Sequence, residues 1–251
     1  MKVYSQEPKD WKELQNMTSK FMTEIEYNCE IEKDINTVRG KVKVDVLAEN
    51  NKISPPSKIL FECKYWDSAI PKTVIHSFRT VVSDFGANHG FIISKNGFQK
   101  GSFDASKNTN ITLLTWSSFL EYFKENWIKA MTKQVNILNH DLLTYTGAGF
   151  PIFFKSDYNY LTKEELLIYD SLYNLYFNIA FYSMNHEYKD LDTNEFDLIY
   201  FERNFLKAEK DFRLKFNSYE DFYNFLVINA KQGVQEFDKL FNKKLRRKNN
   251  S

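Results

Sequence analysis

Residues 58–66, KILFECKYW, decide how this chain is read. Their β-branched and aromatic content favours a strand over a helix, and Ile59, Leu60 and Phe61 mark that strand as one inside the protein. Glu62 and Lys64 stand two positions apart, so on a strand they point the same way while Cys63 turns to the other face. A buried charge is costly unless it is paired, hydrogen-bonded or bound to a metal. Two charges on a buried strand therefore need a reason.

Upstream, Val42, Val44 and Val46 alternate with Lys43 and Asp45, which predicts a second strand over 41–48. A further strand is expected near 26–33, with Asn36-Thr37 and Arg39-Gly40 in the turn between them. Glu49–Ser57 (ENNKISPPS) reads as a loop by composition. Before these strands, Trp11, Leu14, Met17, Phe21 and Ile25 recur at spacings of three and four, an amphipathic helix with Asp10 as its N-cap. Downstream, Val74, Phe78, Val81, Val82 and Phe85 share one helical face over 72–85, and Gly86 stops that helix. FIIS (91–94) and ITLLTW (111–116) are two more strands, GFQKGSFDASKN between them holds a short helix, and Trp116–Trp127 is another amphipathic helix. This order predicts an α/β architecture, a mixed sheet flanked by helices.

Beyond about residue 130 the pattern changes. Gly147–Phe154 (GAGFPIFF) is loop-like, and 161–183 and 218–242 are helical with dense Tyr and Phe. The expected organisation is a catalytic domain over 1–130 and a mainly helical accessory domain over 150–251. Tyr169, Leu172, Tyr173, Tyr176 and Phe177 read as helix core rather than a base-stacking platform. Six basic residues without an acid run from Lys239 to Lys248, a solvated end by composition.

Charge is balanced, with 34 Lys+Arg against 33 Asp+Glu, so any nucleic-acid surface must be a local patch. The opening MKVYSQEPKDWKEL lacks the pattern of a secretory signal, and no stretch approaches the ~18 apolar residues of a membrane span. The expectation is a soluble, cytoplasmic protein with no membrane partner. Two cysteines, Cys29 and Cys63, make neither a disulfide framework nor a zinc site.

If 41–48 pairs with KILFECK, Asp45 comes beside Glu62 and offers two hard oxygen ligands for Mg²⁺ or Mn²⁺. The backbone carbonyl of Cys63 completes the protein's share, and Lys64 orients water or neutralises developing charge. The plainer reading of the same residues is a structural Glu62–Lys64 ion pair and an ordinary strand-end Asp45. Cys63 itself reads as a small buried hydrophobe.

Glu62 stands seventeen positions after Asp45 and opens Glu62-Cys63-Lys64, which resembles the split active site of the PD-(D/E)XK nuclease superfamily. TVRGKVKVDV, ILFECKYW, IPKTVIHSFRTVVSDFGANHGFIISKNGFQKG and TNITLLTW together resemble the Mrr-type restriction endonucleases over residues 10–127. The resemblance implies a restriction-endonuclease-like fold, with Asp45 and Glu62 as metal ligands and Lys64 as the catalytic lysine. Val44-Asp45 stands where the superfamily name has Pro-Asp. Relatives also use an acid on the first helix, for which Glu13 ranks ahead of Glu24, and a Gln and Tyr on the helix after the catalytic strand, where this chain has neither. His76 and Thr80 are nearest to those two positions. As DNA contacts the sequence offers Arg39, Lys41, His76, Gln99 and Lys100, although a basic turn or a helix surface accounts for each equally well.

The function expected from this reading is metal-dependent cleavage of DNA in restriction or anti-phage defence, with DNA and a homodimer or defence-system protein as partners. The alternative is a silent or gated DNA-binding or assembly subunit with a nuclease-like fold. An RNA nuclease and a Holliday-junction resolvase fit the same residues.

Overall fold

The structure, a computed structural model, describes residues 1–147, 158–184 and 196–241. Most of the Gly147–Phe154 loop and the basic run after Phe241 lie outside the described residues. The chain divides into two compact units, Gln6–Trp127 and Met1–Ser5 with Ile128–Ser251.

In the first unit, α1 (Trp11–Glu24) starts where the Asp10 side chain accepts the Glu13 N–H at 2.7 Å, which satisfies one of the orphan donors of the first turn. Glu26, at φ 71°, turns the chain out of the helix. β1 (Asn28–Thr37) and β2 (Gly40–Asn50) form an antiparallel hairpin in which Thr37 pairs with Gly40. Gly40 is at φ 118°, a conformation that suits glycine, so the reversal falls at Val38-Arg39. Both strands therefore run longer than their alternation predicts.

β3 (Ser57–Lys64) pairs antiparallel with β2, β4 (His89–Ser94) runs parallel to β3, and β5 (Ile111–Thr115) runs parallel to β4. The five strands lie in the order β1-β2-β3-β4-β5. Parallel neighbours need crossovers, and α2 (Lys72–Phe85) and α3 (Lys100–Ser106) supply them. Gly86, left-handed at φ 70°, ends α2 as expected. Ile75, Phe78 and Val82 of α2 pack on Val44, Leu47, Leu60 and Ile92 of the sheet, all buried. On the other face Phe61 stacks on Phe91, and Phe119 meets Phe21 at 4.9 Å. The unit is thus a mixed sheet between helices.

The expected single helix over Trp116–Trp127 is two, α4 (Trp116–Tyr122) and α5 (Lys124–Leu138). A capping box between Thr115 and Ser118 starts the first, and the second runs on past the expected end at 127.

The second unit holds α6 (His140–Thr146), α7 (Lys163–Met184), α8 (Leu198–Phe212) and α9 (Tyr219–Leu240) with the later part of α5. Aromatic packing builds its core: Tyr145 stacks on Phe237 at 4.9 Å, and Phe205 meets Tyr219 and Phe222 edge-on. Tyr169 and Tyr176 are buried beside Phe237, as the helix-core reading expects. The segment with the buried Val3 and Tyr4 lies at the start of α9, whose Tyr219 and Glu220 N–H groups donate to the carbonyls of Lys2 and Val3. Among the described residues no helix is long and apolar enough to cross a membrane.

Candidate active site

The last β2–β3 pair is Val46 with Phe61, and one step further along this register Asp45 faces Glu62. The β2–β3 ladder stops there, and the β1–β2 ladder is interrupted at the same residue. Pairing with β1 passes from Ile31–Val46 to Lys33–Val44 and omits Glu32 opposite Asp45, and Glu32 is left-handed at φ 52°. Side-chain alternation slips at the same point: Val42 and Val44 pack under α2, and so does Leu47, three positions after Val44. In a regular strand Val44 and Leu47 would face opposite ways. Asp45, on the face opposite Val44, meets α1.

There its carboxylate is held by two donors. Gln15 Nε2 donates to Oδ1 at 2.8 Å, and the Cys63 N–H donates to Oδ2 at 2.7 Å. A side chain thus replaces the backbone partner that the interrupted ladder would have supplied. Gln15 is only 3% exposed, and its Oε1 is buried without a hydrogen-bond partner. An unmet buried acceptor is unfavourable by about 1–3 kcal/mol, so this oxygen beside the carboxylate calls for a donor or a cation.

Glu62 and Lys64 lie on the same face of β3, as their spacing predicts, and form an ion pair with side chains 22% and 18% exposed. They open into a cleft of about 220 Å³ walled by Val42 and Val44 from one side and Val74, Ser77, Phe78 and Val81 of α2 from the other. Lys43 stands at the same cleft. Burial raises the Glu62 pKa above its ordinary value and the Asp45 charge adds to the rise, while Lys64 opposes it. Cys63 is buried against Thr18, and burial followed by the nearby carboxylates drives its thiol far up. It is no thiolate at neutral pH. Its N–H faces the β2 side, where Asp45 accepts it, whereas the Lys64 carbonyl accepts Lys95 N–H beside β4. Main-chain groups of successive residues on a strand alternate sides, which directs the Cys63 carbonyl to the Asp45 side.

The remaining expected residues are dispersed. Glu13 turns back to its helix start, its Oε2 accepting the Lys9 N–H at 2.6 Å. Glu24 accepts Trp127 Nε1–H and pairs with Lys20. Arg39 pairs with Asp84 at 3.0 Å at the hairpin tip, and Lys41, four residues before Asp45, is exposed near that tip. A strand rises about 3.3 Å per residue, so the tip lies well away from Asp45. His76 is exposed, and its carbonyl accepts Thr80 Oγ1–H. Ser77 and Val81 are the α2 pair that faces the cleft, one helical position round from His76 and Thr80. Gln99 and Lys100 begin α3, and Gln99 Nε2 donates to the Ala69 carbonyl.

Sequence reasoning missed Gln15 and Lys43. Gln15 had a signal: a polar residue on the face of α1 that also buries Leu14, Thr18 and Met22.

The first unit, a mixed five-stranded sheet between helices, is a restriction-endonuclease-like α/β fold. Residues 8–123 match the Mrr_cat family model, described as restriction endonuclease. A crystal structure titled as a protein of unknown function, AF1548, is 15% identical over 43% of this chain, with a TM-score of 0.37. The matched part spans 59% of that chain, and so weak a likeness adds nothing to the argument. No curated protein matches the chain.

Proposed function

We propose that the first unit is a divalent-metal-dependent DNA endonuclease, with Asp45 and Glu62 as metal ligands and Lys64 as the catalytic cation. The observation that supports it most directly is Asp45 set across from Glu62 at a deliberate break in β2, with a buried, unpartnered Gln15 Oε1 beside it.

The donor set suits Mg²⁺ or Mn²⁺. Among the described residues no group of three or more His, Cys, Asp and Glu side chains gathers, so the carboxylate share of a cation shell here is Asp45 and Glu62 alone. Asp45, Glu62, the Cys63 carbonyl and Gln15 Oε1 are all hard oxygen donors, and water would complete the shell. A cation held there supplies Lewis-acid polarisation of the scissile phosphate and makes water more acidic.

The chain's own residues do the rest. Lys64, paired with Glu62 here, would donate its ammonium to a phosphate oxygen or to the attacking water. Gln15 and the Cys63 N–H hold Asp45 in one orientation, so no reorganisation is needed when charge develops. The apolar cleft walls keep the local dielectric low and strengthen both interactions. Restriction or anti-phage defence in the cytoplasm is the role we assign, with the helical unit over 150–251 as accessory domain and a homodimer or defence-system protein as partner.

The test is cleavage of supercoiled plasmid and phage DNA in Mg²⁺, Mn²⁺ or EDTA by wild type and Lys64→Ala. Metal-dependent nicking or linearisation that disappears in Lys64→Ala supports the assignment. Equal cutting by both proteins overturns it, and cutting by neither favours the silent or gated subunit.

A further inference from the structure

The segment that leaves β3 is pinned on both flanks. The Lys64 carbonyl accepts Lys95 N–H at 3.0 Å, the Ile70 N–H donates to Gly97 at 3.0 Å, and the Gln99 N–H returns to the Ile70 carbonyl at 3.0 Å. Between these anchors Lys95 Nζ reaches Asp67 at 2.6 Å and lies 4.5 Å from the centre of the Tyr65 ring. Trp66 sits in the middle of this tied segment, and yet its side chain is 43% exposed. Of the chain's four tryptophans, Trp116 and Trp127 are buried and Trp11 and Trp66 are exposed, and Trp66 is the exposed indole that adjoins the cleft through Lys64. Lys64 Nζ is 5.8 Å from its ring centre.

We propose that Trp66 is a stacking platform for an unpaired nucleobase adjoining the scissile phosphate, so that the strand cut is single-stranded or locally melted DNA. This rests on the nuclease reading of Asp45, Glu62 and Lys64. A phosphate drawn to Lys64 leaves its own nucleotide's base within reach of the indole face, since the separation of ammonium and ring is one that a single sugar bridges. In an intact duplex each base face is already covered by its neighbours, and turning a base out costs a few kcal/mol. An exposed aromatic face therefore favours strands whose bases are already free, and the Lys64 cation beside it matches the backbone charge. Because the segment is tied before substrate arrives, little ordering entropy is lost on stacking.

The experiment measures binding in EDTA, where no cutting interferes, by anisotropy of a labelled oligonucleotide presented single-stranded and as a blunt duplex of the same sequence. Wild type is expected to favour the single strand. Trp66→Ala should lower the ratio of single-strand to duplex affinity by roughly 5- to 150-fold, the worth of one base stacked on an aromatic ring. Trp66→Phe should restore most of it, and the single strand should quench wild-type fluorescence in a Trp11→Phe background. A ratio unchanged in Trp66→Ala, or wild type with no preference for the single strand, overturns the proposal. Failure of the nuclease reading is seen separately, as loss of the difference between wild type and Lys64→Ala in the plasmid assay.

Discussion

Replacing Lys64 by methionine keeps the length of the side chain and removes the charge that opposes the rise in the Glu62 pKa. Burial and Asp45 already push that carboxyl above 4.5, and without Lys64 they act unopposed. The carboxylate escapes by taking up a proton, which sets a ceiling on the damage. Holding a proton at pH 7 on a group whose unfolded value is 4.5 spans two and a half pK units, about 3.4 kcal/mol at about 1.36 kcal/mol each. At pH 5 the ceiling falls to about 0.7 kcal/mol by the same reasoning. Partial exposure of the pair keeps the measured loss below the ceiling. The sign follows from proton binding: with its folded pKa raised, Glu62 binds more protons in the folded state, so stability is greatest below the unfolded value and is lost as pH rises toward the folded pKa. Urea denaturation at both pH values, followed by the fluorescence of the buried Trp116 and Trp127, should give a deficit of about 2–3 kcal/mol at pH 7 and under about 1 kcal/mol at pH 5. Adding Glu62→Gln should remove most of the deficit at pH 7. A deficit of the same size at both pH values would refute the reasoning.

Three further outcomes follow from named contacts. Gln15→Leu removes the 2.8 Å donor to Asp45 and the unmet Oε1 together, and calorimetric titration should find Mg²⁺ affinity lowered roughly 10- to 100-fold, with Gln15→Glu retaining it. Gly90→Ala places a Cβ 2.6 Å from Val82 and 2.8 Å from Ile111, so thermal or chemical denaturation should record a loss of about 1–3 kcal/mol. Cys63, buried and with its thiol pKa driven up, should resist a thiol reagent in the native protein and react once the protein is unfolded, whereas rapid native labelling at Cys63 would show the β3 face to be open.

Local patterns were legible in the sequence wherever one residue's chemistry decides the backbone. Asp10 caps α1, Gly86 ends α2, and two-residue spacing puts Glu62 and Lys64 on one face with Cys63 opposite, because side chains on a strand alternate whatever the strand pairs with. The apolar periodicities over 11–24, 72–85 and 163–184 marked helices for the same reason, since an apolar stripe must be buried. The order of elements then led to a mixed sheet between helices.

What only the tertiary structure decided depends on atoms far apart in the chain. The slip of β2 at Asp45 has no signature in KVKVDVLA, whose alternation continues through it; it falls where the β2–β3 ladder ends and the β1–β2 ladder skips a left-handed Glu32. Gln15 carries the signal of a polar residue on the buried face of α1, but only the fold sets it against a carboxylate thirty positions away. The acid that the sequence ranks first on α1, Glu13, accepts the Lys9 N–H at its own helix start because the nearest unmet donor is local. Met1–Ser5 belongs with the second unit through backbone hydrogen bonds to α9, which no side-chain pattern encodes. Sequence periodicity reports the face a residue turns to, and so identified the charged pair on β3; which groups meet across that face is set by strand register and helix docking, and so Asp45, Gln15 and Trp66 acquired their surroundings only in the folded chain.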